Sequence, residues 1–167
     1  MSDIIKKRRS VRKFTVDPVE TDNIKKLLQA GTLAPSGKNG QPWRFAIVQQ
    51  DKALLRKVAA CTVYEDFVCR ADCLVCVFMD KLDSYHYIKD CQAIGACIQN
   101  MLLKATELEL GACWIGEVLN RDAQVKRLLG IDNRYDLMAV VAVGQKSGEK
   151  ECAPSRKQLQ DLILSYK

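Results

Sequence analysis

The segment Arg8-Arg9-Ser10-Val11-Arg12-Lys13-Phe14 interleaves guanidinium groups with a hydroxyl. Arginine presents a planar fork of N–H donors matched to phosphate oxygens, and Ser10 adds one short donor. With Lys6 and Lys7, the segment places six cations within eight consecutive residues and no acid among them. The chain holds 26 Lys plus Arg against 20 Asp plus Glu, so outside this segment acids and bases are equal in number. The net charge of +6 is therefore one short patch, suited to a compact anion such as a phosphate. A nucleic-acid binder spreads basic residues over a whole face to follow the charged backbone, so no nucleic-acid partner is expected. A second segment, Pro35-Ser36-Gly37-Lys38-Asn39-Gly40-Gln41-Pro42-Trp43, supplies the hydroxyl and amide groups that a ribityl chain or a heterocycle edge requires.

Other chemistries lack material. One histidine, His86, leaves nothing for a Ser-His-Asp triad or a multi-histidine metal site, and it reads as a surface residue. There is no G-x-S-x-G elbow, no G-x-x-x-x-G-K-S phosphate loop and no G-x-G-x-x-G fingerprint. Cys69, Cys73 and Cys76 match the C-x-x-x-C-x-x-C spacing of an iron–sulfur ligand set. Yet Cys73 and Cys76 fall in an apolar run that reads as a strand, where residues an odd number apart point to opposite faces. No metal site is expected, and the eight cysteines read as free thiols in a reducing compartment.

The elements that position these segments follow from periodicity. Asp3 to Arg9 reads as a short helix, and Ile24, Leu27, Leu28 and Gly31 mark the apolar stripe of a second. Ala34 to Pro42 is a polar loop leading into a strand at Trp43 to Val48. Asp51 to Ala60 reads as a helix and Cys73 to Met79 as a buried strand, with an unassigned stretch between them. Cys91, Ile94, Gly95, Ile98, Leu102, Ala105 and Leu108 define a long central helix from about Lys89 to Leu110, ended by Gly111. A strand at Ala112 to Ile115, a helix at Arg121 to Leu129, a strand at Leu137 to Gly144 and a helix at Lys157 to Tyr166 complete the chain. Helices alternating with apolar strands give a sheet covered by helices, an α/β or α+β sandwich. With 48% hydrophobic residues and no linker, residues 1–167 read as one domain, with 145–167 as a C-terminal arm. No apolar run nears the ~20 residues that span a bilayer. The N-terminus lacks the apolar core of a secretory signal, so a cytoplasmic location is expected.

Four segments, in order, resemble the FMN-dependent nitroreductases, and in particular their short, single-domain members. They are Arg8 to Phe14, Ala34 to Phe45, Leu110 to Glu117, and Pro154 to Lys157. The resemblance implies an α+β fold with a mixed β-sheet wrapped by helices. It also implies an intertwined homodimer with FMN at the subunit interface. Arg8 and Ser10 match ligands of the phosphate and ribityl oxygens, with Arg9 beside them, and Arg12 matches a basic position near the flavin pyrimidine edge. Ser36, Asn39 and Gln41 match a loop that reaches the flavin from the other subunit, shaped by Pro35 and Gly37. Ile115 and Gly116 match the segment beside the central ring, and Arg156 resembles a C-terminal phosphate ligand.

Two departures matter. Many members carry a lysine where this chain has Pro154, implying one cation fewer at the phosphate. No match to the polar residues some relatives place at the pyrimidine edge occurs in Val63 to Arg70, which gives Arg12 a larger share of that role. The implied activity is an NAD(P)H oxidoreductase that transfers hydride from NADH or NADPH through flavin N5 to a nitroaromatic, quinone or similar small acceptor. No catalytic side chain is required, because the flavin carries the redox chemistry. The alternatives are a non-catalytic FMN-binding protein for storage or sensing, and a specialised flavin-consuming enzyme on the same fold. Tyr64, Phe67, Tyr85 and Tyr87 are candidates to roof an acceptor pocket, while Trp43 and Trp114 are expected in the core.

Overall fold

The strand that reads as apolar on both faces is the one the rest of the molecule is built around. In the computed structural model, which describes residues 4–148 and 155–167, all eight residues of strand β2 (Cys73–Asp80) are buried. On one side β2 pairs with β1 (Trp43–Val48), and on the other with β4 (Tyr135–Gln145), which pairs in turn with β3 (Leu110–Ile115). The order is β1-β2-β4-β3.

Every pairing among the described residues is antiparallel, where a mixed sheet was expected. The reason lies in the crossover from β2 through the long helix α5 (Tyr87–Glu107) to β3. These two strands run the same way, and β4 inserts between them in the opposite sense, replacing one parallel pair with two antiparallel ones. Opposite the junction of Val77 and Phe78, β4 carries an extra residue, Met138, so Leu137 and Val140 face one side while Ala139 and Val141 face the other.

Helices cover both faces. Helices α2 (Thr21–Thr32) and α5 pack on one core, where Leu27, Ile94, Ile98 and Met101 meet Cys73, Val75, Val77 and Val141. Helices α3 (Lys52–Ala59), α4 (Glu65–Val68) and α6 (Asp122–Leu129) cover the other, where Leu55, Val58, Val68 and Val125 meet Leu74, Cys76, Phe78 and Val140. A sheet buried on both faces needs continuous apolar strands, which is the pattern of β2. Asp51 caps α3 by accepting a hydrogen bond from Leu54 N at 2.8 Å. Cys73 and Cys76 lie in different cores, so they diverge and cannot share a metal ion.

Four expectations are corrected. The first helix, α1, is the single turn Ile4–Lys7; Asp3 lies outside the described residues, and Arg8 and Arg9 are past its end. Helix α5 stops at Glu107, with the turn made by Glu109 at φ 57°, so Gly111 is a strand residue and not a helix stop. Trp114 is 41% exposed because β3 is an edge strand; the far end of its ring rests on Gly95 of α5 and the rest is open. The tail forms only a short 3-10 turn, Leu159–Leu162, with residues 155–167 exposed throughout. An amphipathic pattern without a surface to pack on does not sustain a helix.

Candidate functional site

The basic segment is held on the sheet by backbone bonds. Arg8 N donates to Ile4 O at 2.8 Å, closing α1, and Val11 N donates to Ala112 O of β3 at 3.0 Å. Phe14 bridges to Lys146, and Thr15 N donates to Gln145 O at 3.0 Å. This close approach depends on a pair of glycines opposite each other in the register, Gly111 of β3 and Gly144 of β4. A Cβ on Gly111 would lie 2.8 Å from Val11 Cγ1, and one on Gly144 would lie 2.7 Å from Phe14 Cδ1. Side chains at either strand position would push the segment off the sheet.

Held in this way, Arg8, Arg9 and Ser10 are half-buried and Arg12 is exposed. Arg9 donates from Nη1 to Lys6 O at 2.5 Å and to Arg8 O at 3.0 Å. It borders a small basic cleft of about 170 Å³ with Lys7, Val11, Thr106, Leu110 and Lys146. Arg12 donates to Ser10 O at 3.2 Å, and its guanidinium lies 5.8 Å from the centre of the Phe67 ring. Among the described residues none of Arg8, Arg9 and Arg12 is paired with a carboxylate.

The far end of β3 is tied to the Arg12 side through Glu117, Thr62 and Phe67. Ile115 is buried, and Gly116 is exposed with open space where a side chain would point. Next to it, Glu117 Oε2 accepts from Thr62 Oγ1 at 2.6 Å and from Val63 N at 3.0 Å, and Oε1 accepts from Asn120 Nδ2 at 3.1 Å. These bonds hold the Glu117 carboxyl below its ordinary value, the one from Thr62 first. They also bind the stretch that brings Tyr64 and Phe67 to Arg12, the rings lying 6.0 Å apart. The pairing of Thr62 with Glu117 is missing from the sequence reading: the two are 55 residues apart and carry no local signal of it.

The loop at Pro35 to Gln41 is positioned separately. Ser36 Oγ accepts from Gln41 N at 3.0 Å, and Asn39 N donates to Ser36 O at 3.1 Å. Lys38, Asn39 and Gln41 have positive φ of 54°, 55° and 46°, values that side-chain-bearing residues rarely adopt unless their surroundings impose them. Two devices impose them here. The Tyr85 ring fills the space over Gly37, where a Cβ would come within 2.2 Å of the hydroxyl. Arg44 donates to Gln41 O at 3.1 Å and to Trp43 O at 2.8 Å, while also meeting Asp83 and, at 3.3 Å, Asp80. Asp80 is fully buried and accepts from Arg134 Nε at 2.7 Å and from Leu82 N at 3.1 Å; the Arg134 bonds outweigh burial and hold its carboxyl below the usual range.

Within one chain these two parts stay apart. The loop enters β1 at Trp43, opposite Met79, whereas the basic segment sits at Gly111 and Gly144, next to the Cys73 end of β2 and across the sheet. That is about 20 Å along the strands and about 14 Å across them. Arg156, in the exposed tail, donates to Ser155 O at 2.9 Å and joins neither part; Pro154 lies outside the described residues.

The thiols play no visible part. Burial pushes Cys73, Cys76 and Cys97 up to about 12, so they pack as small apolar groups. Among the described residues no group of three His, Cys, Asp or Glu side chains is placed to hold a metal ion, and no helix is long and apolar enough to cross a membrane.

The α+β sheet carries a basic segment laid across two paired strands, and comparison with known proteins identifies the family. Residues 5–62 and 55–145 match the Nitroreductase family, and the chain belongs to that family. A relative from Archaeoglobus fulgidus, named "Putative NADH dehydrogenase/NAD(P)H nitroreductase", is 34% identical over 86% of this chain and 84% of its own. A crystal structure from Desulfovibrio desulfuricans, of "a putative nitroreductase in complex with fmn", is 38% identical with a TM-score of 0.92, covering 98% of this chain and 95% of that one. An FMN-dependent nitroreductase from Clostridium difficile is 26% identical with a TM-score of 0.79, covering 95% and 92%.

Proposed function

We propose that this chain is an FMN-dependent NAD(P)H oxidoreductase, working as a homodimer in the cytoplasm and passing hydride to small flat acceptors such as nitroaromatics and quinones. The observation that carries the reading is the cationic segment Arg8–Arg12, without carboxylate partners among the described residues, tied through Phe67 and the Thr62–Glu117 bond to the open backbone at Gly116. A phosphate-bearing flat cofactor needs both, cations for one end and a bare strand end for the ring. When bound, FMN supplies hydride transfer at N5.

The chain's own residues bind and orient. Arg8, Arg9 and Ser10 hold the phosphate and ribityl oxygens. Arg12, braced on Phe67, gives the pyrimidine edge a fixed positive charge that favours electron uptake. Ile115 and Gly116 present backbone to the central ring. Arg156 is assigned to the phosphate through the tail.

Pro35, Ser36, Gly37, Asn39 and Gln41 lie too far from Arg8 in their own chain to share one cofactor with it, which supports completion of each site by a second copy. Unpartnered apolar surface supports the same assembly. Ile4, Ile5, Ala30, Leu33 and Leu103 line an open groove of about 710 Å³, and Leu159, Leu162, Ile163 and Leu164 of the tail are exposed. Unpaired thiols at Cys61, Cys69, Cys73, Cys76, Cys91 and Cys97 suit a reducing compartment.

The test is the visible spectrum of protein loaded with FMN and desalted, followed by anaerobic NADH and NADPH. Retained yellow colour that bleaches, on a particle of twice the chain mass, is expected. Colour that persists with both donors removes the oxidoreductase reading in favour of storage, and a stoichiometrically loaded monomer removes the shared site.

A further inference from the structure

The bend between Cys61 and α4 is held by a carboxylate that comes from the end of β3. Glu117 opens the 3-10 turn Glu117–Arg121 directly after Gly116, and its Oε2 takes both the Thr62 hydroxyl at 2.6 Å and the Val63 amide at 3.0 Å. Asn120, from the same turn, steadies the other oxygen. The Thr62 hydroxyl works in both directions: while donating to Glu117 it accepts from Tyr64 N at 3.3 Å. Tyr64 O then accepts from Phe67 N at 3.3 Å and from Val68 N at 3.1 Å, the first turn of α4. Cys61 and Val68 anchor the two ends in the core, but Val63 is 76% exposed and Tyr64 47%. The course of the chain between them is therefore set by these hydrogen bonds and not by burial.

That course ends at Phe67, on whose ring the Arg12 guanidinium rests. Arg12 has little else to fix it. It is exposed, it reaches Ser10 O only at 3.2 Å, and it has no carboxylate partner among the described residues. A long exposed side chain acts as a charge in a fixed place only where a rigid second layer holds it. Hydride uptake adds two electrons and one proton, hence one negative charge, to a flavin ring, and a fixed cation at its pyrimidine edge favours the charged form.

We infer that Glu117 is a positioning residue: through Thr62 and Phe67 it holds the Arg12 charge in place, and so favours reduced over oxidised flavin. The inference rests on the flavin reading of the site.

Anaerobic redox titration of the FMN-loaded protein with a chemical reductant and a reference dye reads the effect without NAD(P)H. Thr62→Val keeps the side chain's shape and every charge but loses the hydroxyl, and Glu117→Gln keeps the shape and loses the strong acceptor. In each, reduced FMN should be favoured about fivefold less over oxidised FMN, a fall of about 20 mV in midpoint potential. Thr62→Ser restores the hydroxyl and should restore the parent potential. In an Arg12→Gln background, where the charge is gone, Thr62→Val should shift the potential no further.

A potential equal to or above the parent's in Thr62→Val or in Glu117→Gln overturns the inference. For Glu117→Gln the sign is decisive, because removal of a negative charge acting directly on the ring raises the potential. An equal fall for Thr62→Val with and without Arg12 also overturns it, and assigns Thr62 and Glu117 to the general fold. Parent protein that retains no FMN removes the flavin reading together with this role, whereas loaded parent and variants of one potential remove the role alone.

Discussion

Placing one methyl group on Gly144 tests whether the basic segment depends on the paired glycines beneath it. The new Cβ would lie 2.7 Å from Phe14 Cδ1, 3.0 Å from Cγ and 3.2 Å from Cβ. Carbon atoms rest at about 3.5–4.0 Å, so the ring must retreat by about 1 Å. Rotation alone does not achieve this, because the near end of the side chain is already in the way. The backbone of Phe14 must move against its bridge to Lys146 and the Thr15 bond to Gln145 O. Overpacking of this kind costs about 1–3 kcal/mol, and about 2 kcal/mol lowers Tm by about 4–8 °C in a chain of this size. With no ring in the way the sign would reverse, since alanine in a strand outdoes glycine by about 0.5–1 kcal/mol. Arg12 is two residues from Phe14, so the same movement should weaken FMN binding about tenfold, read by fluorescence titration alongside thermal unfolding. In a Phe14→Ala background the Gly144→Ala penalty should largely vanish, giving a coupling energy of about 1–2 kcal/mol. Wild-type stability and flavin affinity in Gly144→Ala, or an equal penalty in both backgrounds, would refute the reasoning.

Two further outcomes follow from the polar network. Burial alone would raise the Asp72 carboxyl, but hydrogen bonds from Lys52, Val19 and Gln49 and the Lys52 charge outweigh it and hold it below its ordinary value. A carboxyl lowered on folding stabilises above its unfolded value and loses that contribution as pH falls through the folded one, so Tm should drop below about pH 4 and Asp72→Asn should flatten that drop. Arg44→Met removes the donor to Gln41 O and should weaken flavin binding about fivefold, the worth of about one hydrogen bond, through the loop and not through the basic segment; unchanged affinity would release Arg44 from supporting the loop.

What the sequence makes legible is whatever local pattern burial imposes. β2 is readable because both faces are covered, leaving no polar position from Cys73 to Met79. The stripe of α5 is readable because one face meets the sheet along the helix length. Trp114 misleads because its apolar ring says nothing about β3 being an edge strand, which only the insertion of β4 beside β2 decides. The tail misleads in the opposite way: Leu159, Leu162, Ile163 and Tyr166 have helical spacing, yet their own chain offers no surface to bury it.

The candidate site divides along the same line. Arg8, Ser10, Arg12, Ser36 and Gln41 can be named from residue type, since donor chemistry is local. Their supports are not local. Glu117 reaches back to Thr62, Arg134 reaches Asp80, and Phe14 depends on two glycines that are neighbours only across the β3–β4 register. The separation of the basic segment from the Ser36 loop is likewise a property of strand order. β1 and β3 are opposite edges of the sheet, with the Ser36 loop leading into one and the segment around Ser10 anchored on the other. If one cofactor touches both, as proposed, it lies between two copies, and weakening the contact between copies should release it before either chain unfolds.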